Sequence, residues 1–178
     1  DPTGALLDVQ SDIPTNPTLA ELERYYTKGI QEFWNQHGFT SLLAITPAAA
    51  LPVLQKVALS KMTPTIRYTT SIWTSANGKD MPDDLSKFPM PKGADAAWYR
   101  FGGIKDWVDG ENDARSGFMC EPYIGHFETD PPGGHGTLVT PQPDANRFAA
   151  IASKAGSICM FHCSGDRAHD IVLSAYEE

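Results

Sequence analysis

The sequence predicts a parallel α/β fold, and three observations predict it. Helical and β-rich stretches alternate along most of the chain, with helical patterns of 10 to 20 residues between strands, which implies βαβ crossovers rather than hairpins. Two long loops flank one of the strands, and in parallel α/β architecture the loops that follow the strands' carboxyl ends build the site. At 178 residues and 41% apolar the chain can bury one ordinary core, yet it falls short of the roughly 250 residues of a closed eight-fold barrel.

The elements follow in order. Residues 1–17, with "DPTG" and "DIPTNP", read as a loop entering a helix. Thr18 with Glu21 forms a capping box, and the helix runs to about Gln36. Leu22, Tyr25, Tyr26, Ile30, Phe33 and His37 recur on one face expected to be buried, and Gly38 offers the left-handed exit. "FTSLLAIT" (39–46) reads as a strand, "PAAALPVLQKVALSKM" (47–62) as a helix and "PTIRYTTSIWT" (64–74) as a second strand. A turn-rich stretch, 75–95, precedes the third strand, "AWYRFGGIKDWVDG" (97–110). The loop 111–140 then leads to a helix (143–156), a fourth strand (157–165) and a last helix (166–178).

Charge and cysteine usage narrow the function classes. A formal charge of −8 repels phosphate backbones and anionic lipid surfaces, so nucleic acid is not an expected partner. The stretch Phe39–Gln55 is too short and too rich in Pro, Thr and Ala to span a bilayer, and a soluble, cytoplasmic protein is expected. Cys120, Cys159 and Cys163 are an odd set without metal-knuckle spacing, which points to a reducing compartment. Both ends read as cut, since the chain starts at Asp1 and stops inside a helical pattern.

Several side chains could carry chemistry. Lys105 lies near the end of the third strand; on the residues alone it either reaches solvent or enters a site, while Gly102 and Gly103 permit close backbone approach. His162 shares one strand face with Ile158 and Met160 and is that face's last residue, so it is either a hydrogen-bonded structural histidine or the mouth of a site. Asp166 is placed to cap the last helix. Cys163 points away from His162 and is a poor nucleophile for it. "PPGGHG" lacks the lysine of a phosphate loop, and His126 and His135 lack zinc-pair spacing; all three read as loop features near the site.

"GGIKDWVDG", "ARSGFMCEPY" and "MFHCSGDRAHDIVLSAYEE" together resemble, in order and spacing, the metal-dependent amidohydrolases of the branch that includes the N-substituted formamide deformylases. "HGFTSLLAI" and "TPTIRYTT" look like that family's second and third barrel strands, and "DPTGALLD" like the segment entering from its inserted domain. The resemblance implies a partial (β/α)8 TIM barrel: 1–17 as an entry segment from an insert domain, and 18–178 as the βα units of strands two to five. The remaining strands would come from flanking sequence or another chain, with self-association through uncovered strand edges as a further expectation.

It also implies hydrolysis of carbon–nitrogen bonds other than peptide bonds, in an amide, formamide or cyclic amide. One or two divalent metals, zinc first, would be held by Lys105 as its carbamate and by His162. Asp109 and Asp166 would be the catalytic, site-shaping carboxylates, and Tyr123 and Arg167 the substrate contacts. "ENDARSG" after Asp109 departs from the family's "SLGSRTA", and "CS" replaces a small apolar pair after His162. The competing expectation is a non-catalytic fragment of an α/β barrel that serves as a binding or assembly module.

Overall fold

A computed structural model describes residues 18–48, 51, 65–73, 81, 83–85, 95–125, 127, 128 and 130–178. The entry segment 1–17, nearly all of the expected helix 47–62, most of the turn-rich stretch and His126 lie outside the described residues.

The first described element is an α-helix, α1 (Leu19–Lys28), that passes into a π-helical turn (Gly29–Trp34) and a 3₁₀ turn (Asn35–His37). Its start is the expected capping box. Thr18 N donates to Glu21 Oε2 at 2.8 Å and Glu21 N to Thr18 Oγ1 at 3.3 Å, which holds the Glu21 carboxyl below its usual range. Gly38 leaves with φ +79°. The expected buried face is corrected: Tyr25 and Phe33 are exposed. A π turn adds a residue to the helical repeat, so Phe33, beyond Gly29, rotates away from where a regular helix would carry it, while Tyr25 precedes the turn and is exposed on the α-helical segment itself. The side chains of Leu22, Tyr26 and Ile30 lie outside the description.

Four strands, β1 (Ser41–Pro47), β2 (Arg67–Trp73), β3 (Tyr99–Trp107) and β4 (Ile158–His162), form one sheet in the order β1-β2-β3-β4. All neighbours are parallel, with Pro47 opposite Trp73, Trp73 opposite Lys105, and Trp107 opposite His162. The register between β2 and β3 shifts at Thr70 and Ser71, where Gly102 supplies the extra residue. Gly103 sits there at φ +133°, and a Cβ on it would strike the Ile158 carbonyl. Gly103 thus permits the expected backbone contact, whereas Gly102 makes room for the side chains of Thr69 and Ser71.

The sheet has two unlike faces. On one, Ile104 packs with Met81, Leu85, Phe148, Ile151 and Ala152, the last three on α2 (Gln142–Lys154). Beyond it, Val108 packs with Ala168 and Val172 of α3 (Asp166–Glu177), with Phe161 and Cys163 alongside. Among the described residues the other face lacks such a cover: Leu43 is 59% exposed, Ile45 47% and Ile158 61%. Parallel sheets usually have both faces covered, so this face and the edges at β1 and β4 are open surfaces among the described residues. Among the described residues, no helix is long and apolar enough to cross a membrane.

Candidate active site

Side-chain alternation decides which residues meet. Ile104 and Asp106 turn toward the helices, so Lys105 and Trp107 turn to the uncovered face, and Cys159 and Phe161 against the core leave Met160 and His162 there too. Lys105 stands opposite Met160, two residues before His162 on the adjacent strand; on an ideal parallel ladder such Cα atoms are about 8 Å apart. Both side chains leave the carboxyl ends of neighbouring strands on one side of the sheet.

Lys105 Nζ donates to the Asp106 carbonyl at 2.9 Å and lies 4.7 Å above the Trp107 ring. Trp73 meets that ring edge-on, with centroids 4.7 Å apart. Burial lowers the lysine's proton affinity, and the charges of Asp106, Cys163 and Glu111 oppose the effect. The amine is therefore biased toward its neutral form relative to a surface lysine. His162 is partly buried, and its Nε2 lies 3.3 Å from the Gly110 carbonyl, 3.1 Å from Ser164 Oγ and 3.5 Å from Glu111 Oε1.

The loops behind these groups are assembled around Asp109. Its Oδ2 accepts from the amides of Phe118 (2.8 Å) and Gly165 (2.7 Å), and its Oδ1 from Ser164 (2.9 Å), in a site where the residue is 0% exposed. The carboxylate thereby ties the 110–118 loop to the turn entering α3 and faces backbone rather than open space, which makes Asp109 a positioning residue.

The expected cap is corrected in the same place. Gly165 is the N-cap of α3, and Asp166 is its first helical residue. Asp166 Oδ1 accepts from Cys120 N at 2.7 Å and Arg167 N at 2.8 Å, and the Cys120 amide is the main cause of its lowered pKa. Gly165 fits because any side chain there would collide with the Phe118 carbonyl. Arg167 stacks 4.8 Å above the Phe118 ring. Tyr123 donates its hydroxyl to the Gly117 carbonyl at 3.1 Å and Asn112 Oδ1 at 3.3 Å. Asp109, Asp166, Arg167 and Tyr123 are thus gathered into one loop assembly beside His162.

Sequence reasoning passed over Arg115, which organises the outer loop. At φ +53° it pairs with both oxygens of Asp130 at 2.7 and 2.9 Å, and donates to the carbonyls of Ile124 and Gly125. Its guanidinium lies 5.0 Å from the Tyr123 ring centroid and 4.9 Å from that of Phe127. A loop arginine carries no periodic signal, so nothing in "DARSG" marks it. His135 bonds through Nδ1 to the Met119 carbonyl, as a loop residue. Cys163 packs in the apolar cluster, where burial raises its pKa, so the thiol is not poised as a nucleophile.

The donor set for a metal is partial. Among the described residues no three of His, Cys, Asp and Glu gather around one point. Lys105 and His162 nevertheless suit a shared cation: an amine already biased toward neutrality and an imidazole reach the same side of adjacent strands.

The fold is a parallel α/β sheet of the TIM-barrel type, of which this chain supplies four adjacent strands. It is similar to the crystal structure of an uncharacterized metal-dependent hydrolase from Pyrococcus horikoshii OT3, with a TM-score of 0.69 and 22% identity, covering 90% of this chain and 31% of that one. No family model matches the chain. Over 80 residues, 45% of this chain, it is 32% identical to Protein LONG AFTER FAR-RED 3 of Arabidopsis thaliana, of which it covers 13%.

Proposed function

We propose that this chain is part of a metal-dependent hydrolase that cleaves carbon–nitrogen bonds other than peptide bonds, in an amide, formamide or cyclic amide. The observation that carries the reading is the placement of Lys105 and His162 on one face, at the carboxyl ends of adjacent parallel strands. The likeness to a metal-dependent hydrolase in fold supports it.

Lys105 and His162 would hold the metal, zinc first. Burial helps Lys105 present an uncharged amine to dissolved carbon dioxide; the new N–C bond releases one proton and leaves an anionic carbamate with two oxygens. A bound divalent metal supplies a water of lowered pKa and polarises the scissile carbonyl. Asp109 ties the loop after β3 to the turn after β4 and would thereby position the two ligands. Tyr123, Asp166 and Arg167 shape the loops on which a small amide-type substrate would rest. The rest of the barrel covers the apolar face of Leu43, Ile45 and Ile158. The three free thiols suit a reducing, cytoplasmic setting.

Metal analysis of the complete natural polypeptide tests the reading. Zinc or a similar ion is expected in the wild type, and Lys105→Ala and His162→Ala are expected to lose both metal and amide hydrolysis. Full activity in a metal-free sample would overturn it in favour of another chemistry, and absence of metal and turnover together would leave the assembly module.

A further inference from the structure

Glu111 is the first residue past Gly110 at the end of the β3 segment, and its side chain returns toward the strands. Its Oε1 lies 3.5 Å from His162 Nε2, across 51 residues of sequence. The placement is held from behind. Glu111 N donates to Ser116 Oγ at 3.0 Å, while Ser116 N and Ser116 Oγ each donate to the Glu111 carbonyl at 3.0 Å. Gly110 N adds a bond to the Ser116 carbonyl at 3.1 Å, and a side chain at 110 would strike Ser116. The backbone beneath the carboxylate is pinned, so a ligand would have only the exposed Glu111 side chain left to order.

Its charge also reaches Lys105, where it opposes the effect of burial. A carboxylate beside a histidine, with its charge felt by a lysine, is ordinarily an ion-pair partner. That role fails once Lys105 is a carbamate, because two anions would then stand near one another with no cation to offset them. A divalent cation among the three groups reverses the sign of the interaction, and a carboxylate oxygen and an imidazole nitrogen are both regular zinc donors.

We infer that Glu111 is a third protein ligand of the cation held by Lys105 and His162, an inference that rests on the function proposed above. Three donors from one chain, with the rest from the remaining strands, make a more complete site than the two strand-end groups alone.

Competition titration of Zn²⁺ against a chromogenic chelator tests this in the complete polypeptide, comparing wild type with Glu111→Gln, Glu111→Ala, Lys105→Ala and His162→Ala. Glu111→Gln preserves shape at an exposed side chain, and circular dichroism confirms folding. Loss of an outer partner of a metal ligand weakens binding about 10- to 100-fold, so Glu111→Gln is expected to weaken Zn²⁺ binding at least about tenfold, with Co²⁺ absorption altered in the substituted protein. Unchanged affinity and spectrum in both Glu111 variants, with binding lost in Lys105→Ala and His162→Ala, would overturn the ligand role of Glu111 and leave the hydrolase reading standing. Binding indifferent to Lys105 and His162 would overturn both.

Discussion

Removing the Asp109 carboxylate should loosen the whole loop assembly. Its two oxygens accept three backbone N–H groups, from Phe118, Ser164 and Gly165, at 2.7 to 2.9 Å in a fully buried position. A hydrogen bond to a charged group contributes about 1.5–3 kcal/mol net, and a buried donor left without an acceptor costs about 1–3 kcal/mol. Asp109→Ala orphans all three donors, and water entering the space recovers part of the loss; a destabilisation of about 3–6 kcal/mol is expected. Asp109→Asn retains one oxygen, which keeps the Phe118 and Gly165 bonds and turns its NH₂ against the Ser164 amide. Its cost should be about 2–4 kcal/mol. Urea unfolding of the complete polypeptide measures both, and hydrogen exchange should show faster exchange at 118, 164 and 165. Asp109→Ala within about 1 kcal/mol of wild type, with unchanged exchange at those amides, would refute the clamp.

Two further perturbations follow from the same geometry. Asp106 is fully buried, accepts from Thr140 Oγ1 at 3.0 Å, and has its pKa raised chiefly by that burial. The native state therefore binds this proton more tightly than the unfolded chain. Its contribution to stability is complete below the unfolded pKa of about 3.9 and is lost as pH rises through the raised native pKa. Asp106→Asn should then gain on wild type as pH increases from 4 to 8; parallel stability curves in that interval would exclude it. Arg115→Lys gives up the paired bonds to Asp130 and the two carbonyl bonds. Chymotryptic cleavage near Tyr123 and Phe127 should become several-fold faster, and an unchanged rate would show that the loop is held by other contacts.

What was legible in the sequence was local and periodic. Strict alternation put His162 on the face of Ile158 and Met160, the βαβ spacing implied parallel neighbours, and Gly103 marked close backbone approach, while its neighbour Gly102 meets side chains instead. The same reasoning misplaced Phe33, because a π turn at Gly29 carries no compositional mark, and it misplaced Tyr25, which lies on α1 before that turn. Asp166 had the sequence position of a helix cap, but Gly165 is the cap and Asp109, 56 residues from Gly165, receives its amide.

The residue types and their alternation by themselves determined the class of fold and the strand face that His162 shares with Ile158 and Met160, because backbone geometry makes the side-chain period a local property. Only the tertiary structure decided that Asp109 clamps the β3 and β4 ends, that Arg115 organises the outer loop, and that Glu111 lies beside His162. These pairings join groups from loops without periodicity, whose meeting depends on the register of two strands and the path of the chain between them.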